Sequence, residues 1–286
     1  MDIFGSSGVN APEFPSKLIW LNLPSDLVGL RIADLRGRVV LVDFWTYSCI
    51  NCQRTLPFLK KWWEKYQDSG LVIIGVNSPE FGFEKDPENV KQALKKYEVS
   101  WPTVLDNDMK IWNSFANHYW PAKYLIDHKG KIIFTHFGEG NYIETELKTQ
   151  EALREAGFEV DGKLSSGSQG VALEVGQTPE LYFGSLRGGV ENIPQDISLK
   201  QDQIYSIGKW KQEDEFLQHS RVTDDLDDLV ILQYIAKNVY LVMGSEDGRS
   251  LKVYVTLDGV GLSGENAGSD IQFDSESRSF VEVKFA

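Results

Sequence analysis

The feature that most restricts the fold is a change of rhythm around residues 46–52. Up to Thr46 the chain reads "RVVLVDFWT" (38–46), an apolar, β-branched run without helical period. Such a run fits a strand buried on both faces. From residue 52 it reads "CQRTLPFLKKWWEKYQDSG" (52–70), with Leu56, Leu59, Trp62, Trp63 and Tyr66 at helical spacing and Gly70 as a stop. A strand that feeds directly into an amphipathic helix commits the chain to a sheet with helices laid on it. The only two cysteines, Cys49 and Cys52, stand in that junction, within "SCINC".

The alternation continues. "LVIIGVNS" (71–78) reads as a second buried strand. "DPENVKQALKKYEV" (86–99) reads as a helix, with Asp86 as cap, Pro87 at the first helical position and Glu88 in the first turn. "KYLIDHKGKIIFTHFG" (123–138) reads as a hairpin turning at "HKG", and "TELKTQEALREAG" (145–157) as a last helix stopped by Gly157. The β-α-β part implies parallel neighbours with a right-handed crossover, and the hairpin adds antiparallel strands. The expectation is a mixed α/β sheet flanked by helices over residues 1–157.

After Gly157 the texture changes. Residues 158–176 contain "DGKLSSGSQGVALEVGQ", a Gly/Ser-rich linker candidate. Residues 177–286 offer short β-rich runs separated by turn signals such as "EDG" and "LDG". That pattern predicts a second domain, a β-sandwich or jelly roll. The acidic patch "DDLDD" (224–228) reads as a solvated loop, since its spacing does not match the EF-hand.

A net charge of −13 disfavours nucleic acid and anionic lipid as partners. No apolar run reaches the roughly 18–20 residues of a membrane span. The start, "MDIFGSSGVNAPEFPSKL", has neither a basic nor an apolar leader region. The expectation is either a cytoplasmic chain or one cut from a longer precursor. Two cysteines are too few for a disulfide framework, so the pair reads as chemistry rather than scaffold.

Three readings of the pair stay open: a redox couple, part of a metal site, or two structural thiols. A spacing of three puts both sulfurs on one helix face, where a short disulfide closes with modest adjustment. Cys49 falls at the helix N-terminus, whose free N–H groups and positive dipole end favour an anionic sulfur. Cys52 lies one turn deeper. The redox reading makes Cys49 the exposed nucleophile and Cys52 the shielded resolving thiol. A copper site would use both cysteines with His118 or His136.

"VDFWTYSCINC" resembles the active-site strand and motif of the thioredoxin family, and Pro57 matches that family's helix proline. "WPAKYLID" (120–127) resembles its cis-proline segment, which implies a cis Trp120–Pro121 bond facing the cysteines. The resemblance implies that Asp43 lies beneath Cys52 as a proton acceptor, with burial raising its pKa. "GVNSPEFGFEKDPENV" is similar to an insertion of the TlpA-like branch, which implies a role for Glu80 near the site. It implies catalytic residues Cys49, Cys52, Asp43, Glu80 and Pro121, with Trp45, Tyr47, Trp120 and Pro121 shaping substrate access. Ile50-Asn51 departs from the Gly-Pro of thioredoxin.

"DFWTYSCINCQRTLPFLKKW" with "WPAKYLID…THFGEGNYIETE" also looks like the C-terminal region of DipZ proteins, where a DsbD-type membrane electron transporter is fused to an external thioredoxin-like domain. That implies a thiol–disulfide oxidoreductase, a reductase in direction, with no cofactor beyond the cysteine pair. It implies two partners, the membrane electron-transfer domain and disulfide-bearing proteins, and an extracytoplasmic location. Residues 177–286 are similar, more loosely, to the carbohydrate-binding-module-like domain of the same family. Tyr205 and Trp210, with Tyr182, Tyr234 and Tyr240, are the candidate sugar platforms. A sugar-binding or adhesion module is therefore the second functional reading, and a copper chaperone the third.

Overall fold

Two short strands, β1 (Val9–Asn10) and β2 (Ile19–Leu21), precede the apolar run, which forms β3 (Val39–Trp45). Helix α1 (Ile50–Tyr66) follows, then β4 (Leu71–Asn77), α2 (Pro87–Lys96), β5 (Thr103–Leu105) and α3 (Lys110–Ser114). The hairpin β6 (Ala122–Ile126) and β7 (Lys131–Phe137) leads into α4 (Tyr142–Glu155). This computed structural model describes residues 8–165, 176–193, 199–245 and 249–283.

The seven strands form one mixed sheet in the order β1-β7-β6-β3-β4-β5-β2. β3, β4 and β5 run parallel, and β6, β7, β1 and β2 pair antiparallel. β3 sits at the centre, and all seven of its residues are buried. Its side chains alternate between two cores. Val39, Leu41 and Trp45 join Leu56, Leu59 and Trp62 of α1, Val90 and Leu94 of α2 and Leu153 of α4. Val40, Val42 and Phe44 join Ile111 and Trp112 of α3 on the other face. The alternation assigns Asp43 to the face that α1 covers.

The local signals act where expected. Asp86 caps α2 by accepting from the Glu88 N–H at 2.9 Å, with Pro87 at the first helical position. α1 stops at Tyr66, and a 3-10 turn (Gln67–Ser69) carries the chain to Gly70 at φ 90°. α4 begins at Tyr142, three residues before the start read from its periodicity. β1, β2, β5 and α3, with two to five residues each, add to the elements legible in the sequence. Runs so short carry no measurable period.

The chain divides into two compact units, Met1–Ala172 and Leu173–Ala286. The second is β-rich. Its strands are β8 (Glu191–Asn192), β9 (Ile204–Ile207), β10 (Trp210–Gln212), β11 (Leu217–His219) and β12 (Leu229–Leu232). β13 (Leu251–Tyr254), β14 (Thr256–Leu257), β15 (Val260–Gly261), β16 (Ile271–Phe273) and β17 (Ser279–Val283) complete it. They form small sheets, β12-β9-β8, β13-β17-β16, β10-β11 and β14-β15, antiparallel apart from β8 with β9. In the acidic patch, Asp225 and Asp228 are engaged by Arg221, and Asp228 also by His219. Residues 224–227 are exposed and irregular, the solvated loop expected, tied down by these ion pairs. Part of the linker candidate, residues 166–175, lies outside the described residues.

Candidate active site

Cys49 is the N-cap of α1. It is half-buried, and its Sγ accepts the Cys52 N–H at 3.3 Å. A helix cap is ordinarily an oxygen acceptor; here a sulfur receives that free N–H. Cys52, one turn on, is 1% exposed. Both are free thiols. The three-residue spacing thus sets two sulfurs at different depths on one helix end. Burial pushes the Cys52 thiol well up, and the neighbouring Cys49 sulfur and the Asp43 charge add to that.

Asp43 is 1% exposed and projects from β3 under α1. Burial drives its pKa up to about 7, against the opposing pull of Lys123. The carboxyl therefore titrates where a base operates. Across the sheet Asp43 pairs with Gly75 of β4 and with Lys123 of β6. A Cβ at Gly75 would lie 3.0 Å from the Trp45 indole nitrogen and 3.0 Å from Thr103 Oγ1. That close approach explains a glycine in a central strand.

The Trp120–Pro121 bond is cis. Pro121 precedes Ala122, which pairs with Phe44, so it stands at the end of β3 where the cysteine loop departs. The Trp120 indole donates to the Ser78 carbonyl at 2.9 Å, tying this loop to the end of β4. Tyr47, Cys49 and Trp120 all pack, half-buried, on the core that holds Trp45 and Cys52. The Tyr47 hydroxyl donates to the Phe83 carbonyl at 3.2 Å. The resemblance places Trp45 among the substrate-facing residues. It is instead core, 1% exposed, with no surface to offer a partner chain.

Glu80 lies half-buried in the segment after β4. The fully buried carboxylate of this segment is that of Glu84. Glu84 accepts from the Ser48 hydroxyl, from the Glu80 N–H at 2.6 Å and from the Phe81 N–H at 3.0 Å. It fastens the 78–86 segment to the residue before Cys49. Sequence reasoning passed over both Glu84 and Lys123. The only signal for Lys123 is its place opposite Asp43, which needs the strand register.

Along the first turns of α1, a cleft of about 380 Å³ is lined by Ile50, Leu56, Pro57 and Tyr97 together with the basic Arg54, Lys60 and Lys96. Among the described residues no three His, Cys, Asp or Glu side chains are gathered as a metal site. His118 is exposed, and His136 is half-buried with its Nε2 3.4 Å from the Glu139 carbonyl oxygen.

In the second unit, Tyr205 is 2% exposed and its hydroxyl accepts the Lys200 N–H at 3.0 Å. A buried ring is no platform for a sugar, which corrects that expectation. The Trp210 indole donates to the Ile207 carbonyl and its ring lies 4.7 Å from that of His219. The Arg187 guanidinium covers the Tyr182 ring at 4.1 Å. These rings give no support to sugar binding.

A family model described as the AhpC/TSA family matches residues 8–135. Protein DipZ of Mycobacterium tuberculosis is 38% identical over 248 residues, 82% of this chain and 35% of that protein. The chain thus spans about a third of the length of this relative. The thiol-disulfide oxidoreductase ResA of Bacillus cereus is 29% identical over 134 residues, 46% of this chain and 70% of that protein. The solution structure of a thioredoxin-like protein in the oxidized form aligns at 26% identity over 52% of this chain and 97% of that one, with a TM-score of 0.46. Residues 8–135 thus match the AhpC/TSA family, and the chain is similar to DipZ and to a ResA-type thiol–disulfide oxidoreductase.

Proposed function

We propose that this chain is a protein disulfide reductase acting through a Cys49–Cys52 dithiol. The observation that carries the reading is the arrangement by depth: a half-buried sulfur at a helix cap, a buried sulfur one turn on, and a buried carboxyl close enough for its charge to act on that second sulfur. The Cys49 thiolate attacks one sulfur of a client disulfide. A Cys49–client bond forms, and the other client sulfur leaves with the electron pair and takes a proton. Cys52 then gives its proton to the Asp43 carboxylate and attacks Cys49. The Cys49–Cys52 bond forms, the Cys49–client bond breaks, and the second client sulfur leaves reduced. Two electrons pass from the dithiol to the client disulfide.

Pro121 and Trp120 form the wall beside which the client backbone lies, and Tyr47 narrows the approach. The similarity to DipZ supports the finer part of the proposal. The donor that re-reduces the pair is a DsbD-type membrane transporter, and the clients are extracytoplasmic proteins. No helix among the described residues is long and apolar enough to cross a membrane, so the donor's spanning part would lie elsewhere in the assembly.

Insulin-disulfide reduction with dithiothreitol as donor tests the chemistry. Wild type accelerates it, Cys49→Ser returns the rate to background, and Cys52→Ser accumulates a client joined to Cys49. Full activity in Cys49→Ser would refute the assignment.

A further inference from the structure

We infer that Asp106 is a positioning residue for client binding: its one buried carboxylate ties the end of β4 to the start of α3, and through both it fixes the Trp120 ring. The inference rests on the reading above that makes Trp120 part of the client wall.

Asp106 is the residue after β5 and is 0% exposed. Its carboxylate is held by donors from two elements. Oδ1 accepts the Ile111 N–H at 2.9 Å, and Oδ2 accepts the Trp112 N–H at 2.8 Å and the Ser78 hydroxyl at 3.2 Å. The two N–H groups belong to the first turn of α3. That helix has five residues, and Met109 at its cap position stands at φ 56° and supplies no side-chain cap. A helix so short does not hold itself together. Asp106, from upstream, takes the place of the missing cap. Asparagine is a poor substitute, because it brings one acceptor oxygen and a donating amide, so one of the two helix N–H groups would face a donor.

Both ends of this bridge arrive at Trp120. The Ser78 carbonyl accepts the Trp120 indole N–H at 2.9 Å, and the Trp112 ring lies against the Trp120 ring with centroids 4.2 Å apart. The indole edge and one of its faces are each set by a residue that Asp106 grips. The path of the loop is anchored separately. Asn117, 1% exposed, donates to the Tyr119 carbonyl at 3.0 Å and accepts from the Tyr124 hydroxyl at 3.2 Å, and Ala122 enters the sheet opposite Phe44. Loss of the Asp106 carboxylate therefore leaves the loop in place and frees the Trp120 ring. A ring free to turn must be fixed again by each client, which weakens binding and leaves the chemistry at Cys49 as it was.

The test uses the full chain and two disulfides. Insulin is the protein client, reduced with dithiothreitol as donor. Bis(2-hydroxyethyl) disulfide, too small to lie along the wall, oxidises the pre-reduced chain in a single turnover. In Asp106→Asn the KM for insulin should rise about threefold or more, while kcat and the rate with the small disulfide stay within about twofold. Trp120→Ala should raise the KM as well, and adding Asp106→Asn to it should raise it no further. An aspartate that only supported the fold would lower kcat and the small-disulfide rate together, and its effect would add to that of Trp120→Ala. Either result overturns the inference.

A second readout is independent of activity. The Trp120 indole N–H, identified by nuclear magnetic resonance from its loss in Trp120→Ala, should exchange with solvent about tenfold faster or more in Asp106→Asn. Unchanged exchange overturns the inference. If Asp106→Asn does not fold, Ser78→Ala takes its place, since it spares both α3 bonds and removes only the hydroxyl. It should raise the KM and speed the same exchange, and a variant unchanged in both overturns the inference. An unchanged KM in Trp120→Ala would remove Trp120 from the client wall, and the inference with it. A wild type that reduces neither disulfide would instead sink the dithiol reading itself.

Discussion

Asp43 holds a proton in the folded chain under conditions where the unfolded chain has lost it. Its folded pKa, about 7, lies above the ordinary value of 3.8. Between these values the native state binds more protons than the unfolded one, so stability falls as pH rises. The contribution is fully present below the unfolded value and lost as pH passes about 7, at no more than about 1.4 kcal/mol per pH unit. Asp43→Asn removes this slope. Urea midpoints at pH 5 and pH 8 check it, and a wild type as pH-dependent as Asp43→Asn would show that Asp43 is ionised throughout. Gly75 makes a steric prediction in the same place. Gly75→Ala puts a methyl 3.0 Å from the Trp45 indole nitrogen and from Thr103 Oγ1, both buried. It should cost about 1–3 kcal/mol through overpacking, read from chemical denaturation. A neutral result would mean that Trp45 has room to move.

At the scale of elements, the active-site end of the sheet is held by three segments that meet there: the 46–49 turn, the 78–86 segment and the 118–121 loop. Glu84 joins the first two through Ser48 and two backbone N–H groups, and Trp120 joins the second and third through Ser78. Glu84→Gln keeps the shape but replaces charge-assisted bonds with neutral ones. It should lower stability by about 1–3 kcal/mol, measured by denaturation. The rate of Cys49 alkylation should change with it, because Ser48 sets the approach to the cap. An unchanged protein by both measures would mean the clamp is idle.

The two strong elements, β3 and α1, were legible because each carries a long, unbroken pattern that ends at the same point. The capped α2 was legible from "DPE" alone. Lys123 and Glu84 were not, because their roles depend on partners 80 and 36 residues away (Asp43 and Ser48). Only strand register and the folding back of the 78–86 segment bring those partners together. Trp45 and Tyr205 misled for the opposite reason. An aromatic at strand spacing serves equally well as core or surface, and the strand's facing decides which.

At the scale of the molecule, all the groups of the proposed chemistry lie between Asp43 and Glu139, within the first unit. We propose the domain division as residues 1–157 and 177–286, with 158–176 as the connection. The residues up to 165 belong with the first domain in packing. Ser165 donates to the buried Glu146 carboxylate of α4 through both its N–H and its hydroxyl, and Tyr66 of α1 donates to the same carboxylate at 2.7 Å. A fragment ending at residue 165 should therefore fold and keep the exchange rate of the full chain, whereas one ending at 157 loses that strap and should be less stable. Loss of exchange in the longer fragment would give the second unit a part in the chemistry.

The direction of electron flow proposed for the pair makes it a reductant. Burial raises the Cys52 thiol and withholds stabilisation from its thiolate. A reduced form without such stabilisation gives up its electrons readily, unlike the oxidants whose reduced form is stabilised. The direct measurement is the equilibrium reduction potential of the Cys49–Cys52 couple, titrated against a dithiothreitol or glutathione buffer. A reductant should give a value near that of thioredoxin, about −270 mV. A value near about −120 mV would make the pair an oxidant and contradict the direction of electron flow proposed here.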